Sequence, residues 1–288
     1  MQGFILTTQG EKSPMPTHLK ARAVAEVSGP EARDFLQSLV TNDIAAMKPG
    51  QALWAGLLTP QGKILFDFFV FDTGDDGFIL DVSAAQRDAL LQRMGMYRLR
   101  RDVEIAPRDD LAAVDGEVSG AVAVFDDPRL ADMGARSIVR REVAAELADD
   151  AGGHHARRIA LGLPDSDADI GSGKLFPHEA NFDQLGGVSF TKGCYVGQEV
   201  VSRMQHRSTT RNRLLPVTGR GALVGGTEII GAGKRIGEIL STAGERGIAL
   251  VRLDRADAAI DAGEPLMAGD VAIDLVRPSW ARFDVPGA

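Results

Sequence analysis

The sequence predicts an α+β protein: antiparallel sheet subdomains with a small β-barrel at the C-terminal end. Three observations carry that prediction. An amphipathic helix near the N-terminus leads into strand-like runs separated by Pro, Gly and Asp turns, which is the pattern of an antiparallel meander. Helical and strand runs do not alternate one for one, which argues against a doubly wound parallel sheet. Beyond Arg213 the composition changes to Gly, Val and Ile with almost no helix signal.

The first clear element is a helix over 30–40. Ala32, Phe35, Leu36 and Leu39 fall at i, i+3, i+4 and i+7 and make one buried stripe. Pro30 suits the first helical position, with Ser28 or Gly29 as the cap, and Thr41-Asn42-Asp43 reads as the exit. The meander follows, with strands at 52–58, 64–71 and 78–82 joined by the turns Thr59-Pro60-Gln61-Gly62 and Gly74-Asp75-Asp76-Gly77. A second helix is expected over 84–100, with Leu90, Leu91, Met94 and Tyr97 on one side. Short extended runs are expected at 103–105 and 121–125, and the Ala/Asp/Glu-rich stretch 142–151 reads as a helix or a mobile loop. Between Pro164 and Pro177 apolar periodicity disappears, which reads as a long functional loop or a boundary. The barrel is assigned strands at 214–217, 235–240, 247–253 and 271–276. The expected units are 1–110, 111–212 and 213–288.

Composition excludes several function classes. A single cysteine, Cys194, can form neither an internal disulfide nor a zinc ribbon. Conventional iron–sulfur clusters take about four cysteine ligands, so the chain cannot hold one alone. The opening Met1 to Leu6 lacks the look of a signal peptide, and no window approaches about 18 uncharged apolar residues. The expected location is therefore the cytoplasm, without a membrane partner. A formal net charge of −8 argues against general nucleic-acid binding.

Chemistry concentrates between Gly186 and Met204. A short strand is expected to end near Thr191 and a helix to begin around Gly197, with Val200, Val201 and Met204 facing in. Cys194 then precedes a helix N-terminus with Lys192 two residues away, surroundings that favour a thiolate; the alternative is a small buried hydrophobe. From Lys192 to Arg213 five cations (Lys192, Arg203, Arg207, Arg211, Arg213) face one acid, Glu199, a net +4 within an acidic chain. Such an island marks an expected anion: a glutamylated pterin, a phosphate or RNA. Glu179 and Asn181 form a polar pair able to read the edge of a heterocycle, unless Asn181 caps a turn. Asp67 stands in the apolar run Ile64–Val70, either as an acid at a pocket mouth or facing solvent. His154-His155 is not framed as a metal site, since adjacent histidines point apart on regular elements.

Lys192-Gly193-Cys194-Tyr195-Val196-Gly197-Gln198-Glu199 resembles the K-G-C-Y-x-G-Q-E signature of the YgfZ-type folate-binding proteins, bacterial relatives of a mitochondrial iron–sulfur assembly factor. The resemblance extends through Gly162-Leu163-Pro164, 177–181, 186–190, 35–43 and the Pro60-Gln61-Gly62-Lys63 turn. It implies the fold of the glycine cleavage T-protein, an aminomethyltransferase, with three subdomains around a central folate channel. It also implies tetrahydrofolate as cofactor, held by Glu179 and Asn181 with Lys192, Tyr195, Gln198, Glu199 and Arg203. The implied role is assembly or maintenance of iron–sulfur proteins, including tRNA-modifying enzymes, with Cys194 as the functional thiol and client proteins or assembly machinery as partners. Where the T-protein carries two adjacent acids, this chain has Phe66 and Asp67. The alternative is a tetrahydrofolate-dependent one-carbon transferase with Asp67 as its acid, and a third reading is RNA contact through the arginines.

Overall fold

In the computed structural model the described residues are 15–148, 151–207 and 210–288, without the side chain of Arg207. The opening hexapeptide read above lies outside that set, as do two residues of the 142–151 stretch.

The first sheet has five antiparallel strands: β2 (Arg22–Ser28), β3 (Ala52–Leu58), β4 (Ile64–Gly74), β5 (Gly77–Ser83) and β6 (Glu104–Pro107), in the order β3-β4-β5-β2-β6. Its meander register pairs Gly56 with Asp67 and Val70 with Leu80. Strand pleat sends Phe66, Phe68 and Val70 to one face, where they pack under α1 (Ala32–Leu39) and α2 (Arg87–Arg98) with Phe35, Leu36, Leu90 and Met94. Asp67, Phe69 and Phe71 take the other face. The α1 stripe is buried as its spacing requires, but the cap differs from expectation. Glu31 is the N-cap residue without a side-chain cap bond, because its Oε2 accepts from the amide of Asp102 at 2.6 Å. Gly29 precedes it at φ 112°, where a Cβ would stand 2.7 Å from the Asp102 carbonyl oxygen.

The second sheet runs β1-β7-β9-β8, from β1 (Thr17–His18), β7 (Leu111–Asp115), β8 (Ala123–Asp126) and β9 (Ala135–Arg140). It carries α3 (Arg141–Ala145) and leads to α4 (Ala151–Ala160). Strands β2, β7 and β9 and helix α4 are additions to the sequence reading; α4 holds two glycines and two histidines, which weaken its helical signal. The segment from Pro164 is not a bare loop. It contains one π-helical turn, Ser166–Ile170, whose cap residue Asp165 accepts from the amides of Asp167 and Ala168.

After α5 (Gln198–Arg207), a closed barrel forms from β10 (Asn212–Gly219), β11 (Glu228–Gly231), β12 (Lys234–Ala243), β13 (Arg246–Arg252), β14 (Leu266–Ala268) and β15 (Val271–Leu275). The four expected strands are present, with two short ones added. The expectation of almost no helix there is corrected by α6 (Leu253–Asp261), which buries Ala256 and Ala259. Its apolar side is made of alanines, which leave a weak periodic signal. No helix among the described residues is long and apolar enough to cross a membrane.

Buried ion pairs join the three units. Asp81 on β5 accepts from Arg22 Nε at 2.6 Å and from Arg136 on β9 at 2.6 and 3.0 Å. Arg22 also donates to Ser166 in the π-turn. Asp169 binds Arg158 of α4 at 2.7 Å and Ser241 of β12 at 2.6 Å. Burial acts to raise the Asp81 carboxyl, but Arg136 and Arg22 outweigh it and hold it below the usual range. Asp81→Ala leaves two buried guanidinium groups without their shared partner, so unfolding free energy should fall by about 3–5 kcal/mol in a urea titration at neutral pH. The depressed folded pKa stabilises the native state above the unfolded carboxylate range, near pH ~4, and that contribution is lost as pH falls through the folded value. The variant should therefore show a shallower acid loss.

Candidate functional site

Three segments distant in sequence meet around Cys194. The chain from 187 to 197 is irregular, which corrects the short strand expected before Thr191, and α5 starts at Gln198. Its backbone is held instead by the exit of α1. Thr41 Oγ1 donates to the Gly187 carbonyl at 2.6 Å, the Ser189 amide donates to the Thr41 carbonyl, and Asn42 Nδ2 donates to the Gly186 carbonyl. Gln37 Nε2 reaches the Lys192 carbonyl at 3.3 Å. On the other side the Pro60-Gln61-Gly62 turn presses against Gly197, where a Cβ would lie 2.5 Å from the Thr59 carbonyl oxygen and 3.0 Å from Gly62 Cα. Gly197 is at φ 82° and Gly62 at φ 84°, so both the close approach and the backbone require glycine.

Lys192 is engaged by the backbone at the exit of α1. Its ammonium donates to the carbonyls of Val40 at 2.6 Å and Asn42 at 2.7 Å and lies 5.2 Å from the Tyr195 ring centroid. Burial pushes Lys192 down to about 8, against the pull of Asp43, and burial pushes the Tyr195 phenol up to about 12. Lys192 and Tyr195 close the inner side of the loop, and Cys194 between them is exposed. The small buried hydrophobe is thereby ruled out. Phe190, four residues earlier, is 40% exposed, and Glu199 and Arg203 form an exposed pair on α5 at 4.0 Å. Val201 is buried under that helix, while Val200 and Met204 are only half-buried.

Glu179 and Asn181 lie elsewhere, where the chain enters the barrel. Glu179 accepts from the Phe176 amide at 3.0 Å and from Asn212 Nδ2 at 2.9 Å. Asn181 is fully buried at φ 60°, a conformation asparagine tolerates, and donates to the Leu214 carbonyl at 2.7 Å. Both side chains bond the protein, Glu179 at a half-buried carboxylate and Asn181 inside the core, and no step is routed through folate. The basic island is also divided. Arg213 is buried, paired with Asp183 at 2.6 and 2.9 Å and 4.5 Å from the Phe283 ring centroid. Lys192 is held by backbone carbonyls, Arg203 and Arg211 are exposed, and the Arg207 side chain lies outside the described residues, so among the described cations two of the four are taken up inside the protein.

Asp67 faces the centre of the molecule, not solvent, and is 5% exposed. Trp54 Nε1 donates to its Oδ2 at 3.0 Å. Burial holds its carboxyl above the usual range, against Arg22, Trp54, Ser166 and Arg129. Around it, Arg22, Arg129 and Arg136 surround the Phe69 ring at 4.6–5.6 Å from the centroid. These arginines are absent from the site expected from sequence, and Thr41 and Gln37 enter it only as parts of the α1 segment, because isolated polar residues carry no periodic signal. His154 lies 3.3 Å from Asp115, while His155 contacts the Thr242 carbonyl and Arg158. Among the described residues no three His, Cys, Asp or Glu side chains are grouped to hold a metal.

Comparisons with known proteins bear on the family and the fold. Residues 19–120 match the GCVT N-terminal domain and residues 211–283 match the CAF17 C-terminal beta-barrel domain. The chain is 30% identical to the mitochondrial iron–sulfur cluster assembly factor IBA57 of Mus musculus, covering 91% of this chain and 84% of that protein. It is 31% identical to the Homo sapiens protein of the same name, covering 81% and 76%. The fold superposes on the glycine cleavage system aminomethyltransferase T of Bartonella henselae with a TM-score of 0.74 over 92% of this chain and 86% of that one, at 14% identity.

Two substitutions test the clamp. Lys192→Met leaves two carbonyls without their donor, for an expected loss of about 1–3 kcal/mol and faster amide exchange across 187–197. Gly197→Ala should destabilise by more than about 1 kcal/mol in thermal or urea denaturation, because alanine at positive φ is strained as well as crowded.

Proposed function

The chain belongs to the IBA57 family of iron–sulfur cluster assembly factors, and from that premise we propose that it serves assembly or maintenance of iron–sulfur proteins by presenting the Cys194 thiol to a partner. The observation that carries this reading is the contrast between two groups. Cys194 is exposed on a loop fixed from behind, whereas Asp67, the acid a transferase would need, is buried against Trp54 and hemmed by guanidinium groups. One thiolate supplies one ligand, so any cluster it touches is cargo held mainly by the partner. The partners are then the assembly machinery or client iron–sulfur proteins, with tRNA-modifying enzymes among the clients.

The YgfZ-type assignment within this family rests on the eight-residue signature. Tetrahydrofolate is retained as a proposed ligand on the strength of the fold alone, with no step assigned to it. Cytoplasmic placement is likewise a proposal, since the names of the relatives place those proteins in mitochondria.

In cells lacking the native protein, Cys194→Ala should fail to restore iron–sulfur enzyme activities while Asp67→Asn, which keeps an acceptor for Trp54, restores them. The reverse pattern would overturn the thiol reading, and a folate-dependent turnover lost in Asp67→Asn would carry the aminomethyltransferase-like alternative. Tetrahydrofolate at about 100 times its Kd should add about 2.7 kcal/mol to stability, read as a rise in Tm of several degrees; an unchanged Tm removes folate from the proposal.

A further inference from the structure

The turn that ends α2 joins two features that helix termination does not require. Arg98-Leu99-Arg100-Arg101 is closed by the Arg101 amide donating to the Arg98 carbonyl at 3.0 Å. Leu99 sits at φ 52°, ψ −114°, the first central position of a type II′ turn, where glycine dominates because a side chain is strained. Its side chain is nevertheless large and apolar, and it is 86% exposed. Met96, three residues earlier in the last turn of α2, is 62% exposed.

Charge surrounds this apolar pair. From Arg93 to Arg101 there are four arginines and no carboxylate, inside a chain with net charge −8. None of Arg93, Arg98 and Arg100 forms an ion pair among the described residues, and Arg101 lies over the Phe35 ring at 5.8 Å. A cation in the last helical turn complements the helix dipole, which accounts for Arg98. It does not account for a leucine held outward in a conformation that glycine adopts freely.

We propose that this turn is a docking surface for an acidic, leucine-bearing segment of a partner protein. Carboxylates of such a segment meet the arginines while its apolar side chains cover Leu99 and Met96, and charge complementarity of this kind sets orientation and speeds encounter. Glu31 lines the same shallow groove as Leu99, Arg100 and Arg101. A flat layer of anionic headgroups would meet that carboxylate as a like charge, whereas a peptide can direct an N–H donor toward it. The surface is independent of Cys194, so the two proposals stand or fall separately.

The probe is a fluorescein-labelled peptide of repeated Glu-Glu-Leu-Leu, followed by fluorescence anisotropy with the full chain at low and high salt. Leu99→Gly should weaken binding about tenfold, as expected for removal of one central apolar anchor, while Tm stays the same or rises because the backbone strain is relieved. The double variant Arg98→Glu, Arg100→Glu should lose binding and its salt dependence, and Cys194→Ala should bind as the unaltered chain does. The proposal is overturned if Leu99→Gly binds normally, if its Tm falls, if a peptide of glutamates alone binds equally well, or if phosphatidylglycerol vesicles bind the chain through Leu99 while the peptide does not.

Discussion

The architecture depends on carboxylates buried where the units meet. Asp81 gathers one guanidinium from its own sheet and one from the second sheet, and Arg22 passes the contact on to the π-turn. Asp169 in that turn then reaches α4 and the barrel. Removing a charge from water is costly, so each such group holds its place only while every partner is present. The pairs therefore specify one relative arrangement of the two sheets and the barrel more than they add net stability. Phe69, with three guanidinium groups around its ring, supplies the apolar surface on which they converge.

A fixed arrangement of units is what allows a fixed thiol. The segment bearing Cys194 has no regular structure of its own and takes its shape from the α1 exit and the turn between β3 and β4, both parts of the first sheet unit. Lys192 acts as a clamp on two carbonyls, and the paired glycines Gly62 and Gly197 permit backbone contact that no side chain would allow. The centre of the molecule, where Asp67 lies, is filled by Trp54, Phe182 and charged side chains, with Trp54 and Phe182 ring centroids 3.9 Å apart, while the Cys194 thiol is exposed.

Particular elements show how far the sequence could be read. The α1 stripe, the three-strand meander and the outline of the barrel were legible because periods of 3.6 and 2 report directly on which face is buried. Helix α4 was not, because glycines and histidines obscure its period, and α6 was not, because its buried face consists of alanines. The π-turn was not legible because the segment lacks apolar periodicity. Asp167 and Asp169 find Ser83 and Ser241 far away in the chain, and Asp169 also binds Arg158 on the preceding helix. Lys192 and Arg213 were read as a basic surface, but their charges are answered by groups distant in sequence.

By itself the sequence determined the α+β class and the separate barrel and singled out the segment around Cys194, since apolar spacing and a lone cysteine in a distinctive motif are local facts. Only the tertiary structure decided that Cys194 is exposed, that Asp67 is sealed, that Glu179 and Asn181 hold the barrel entrance, and that Leu99 stands outward in a glycine's conformation. The physical reason is that local periodicity fixes which side chains leave water. The partner each polar group finds once it has left is fixed by packing between segments that the chain's order does not place together.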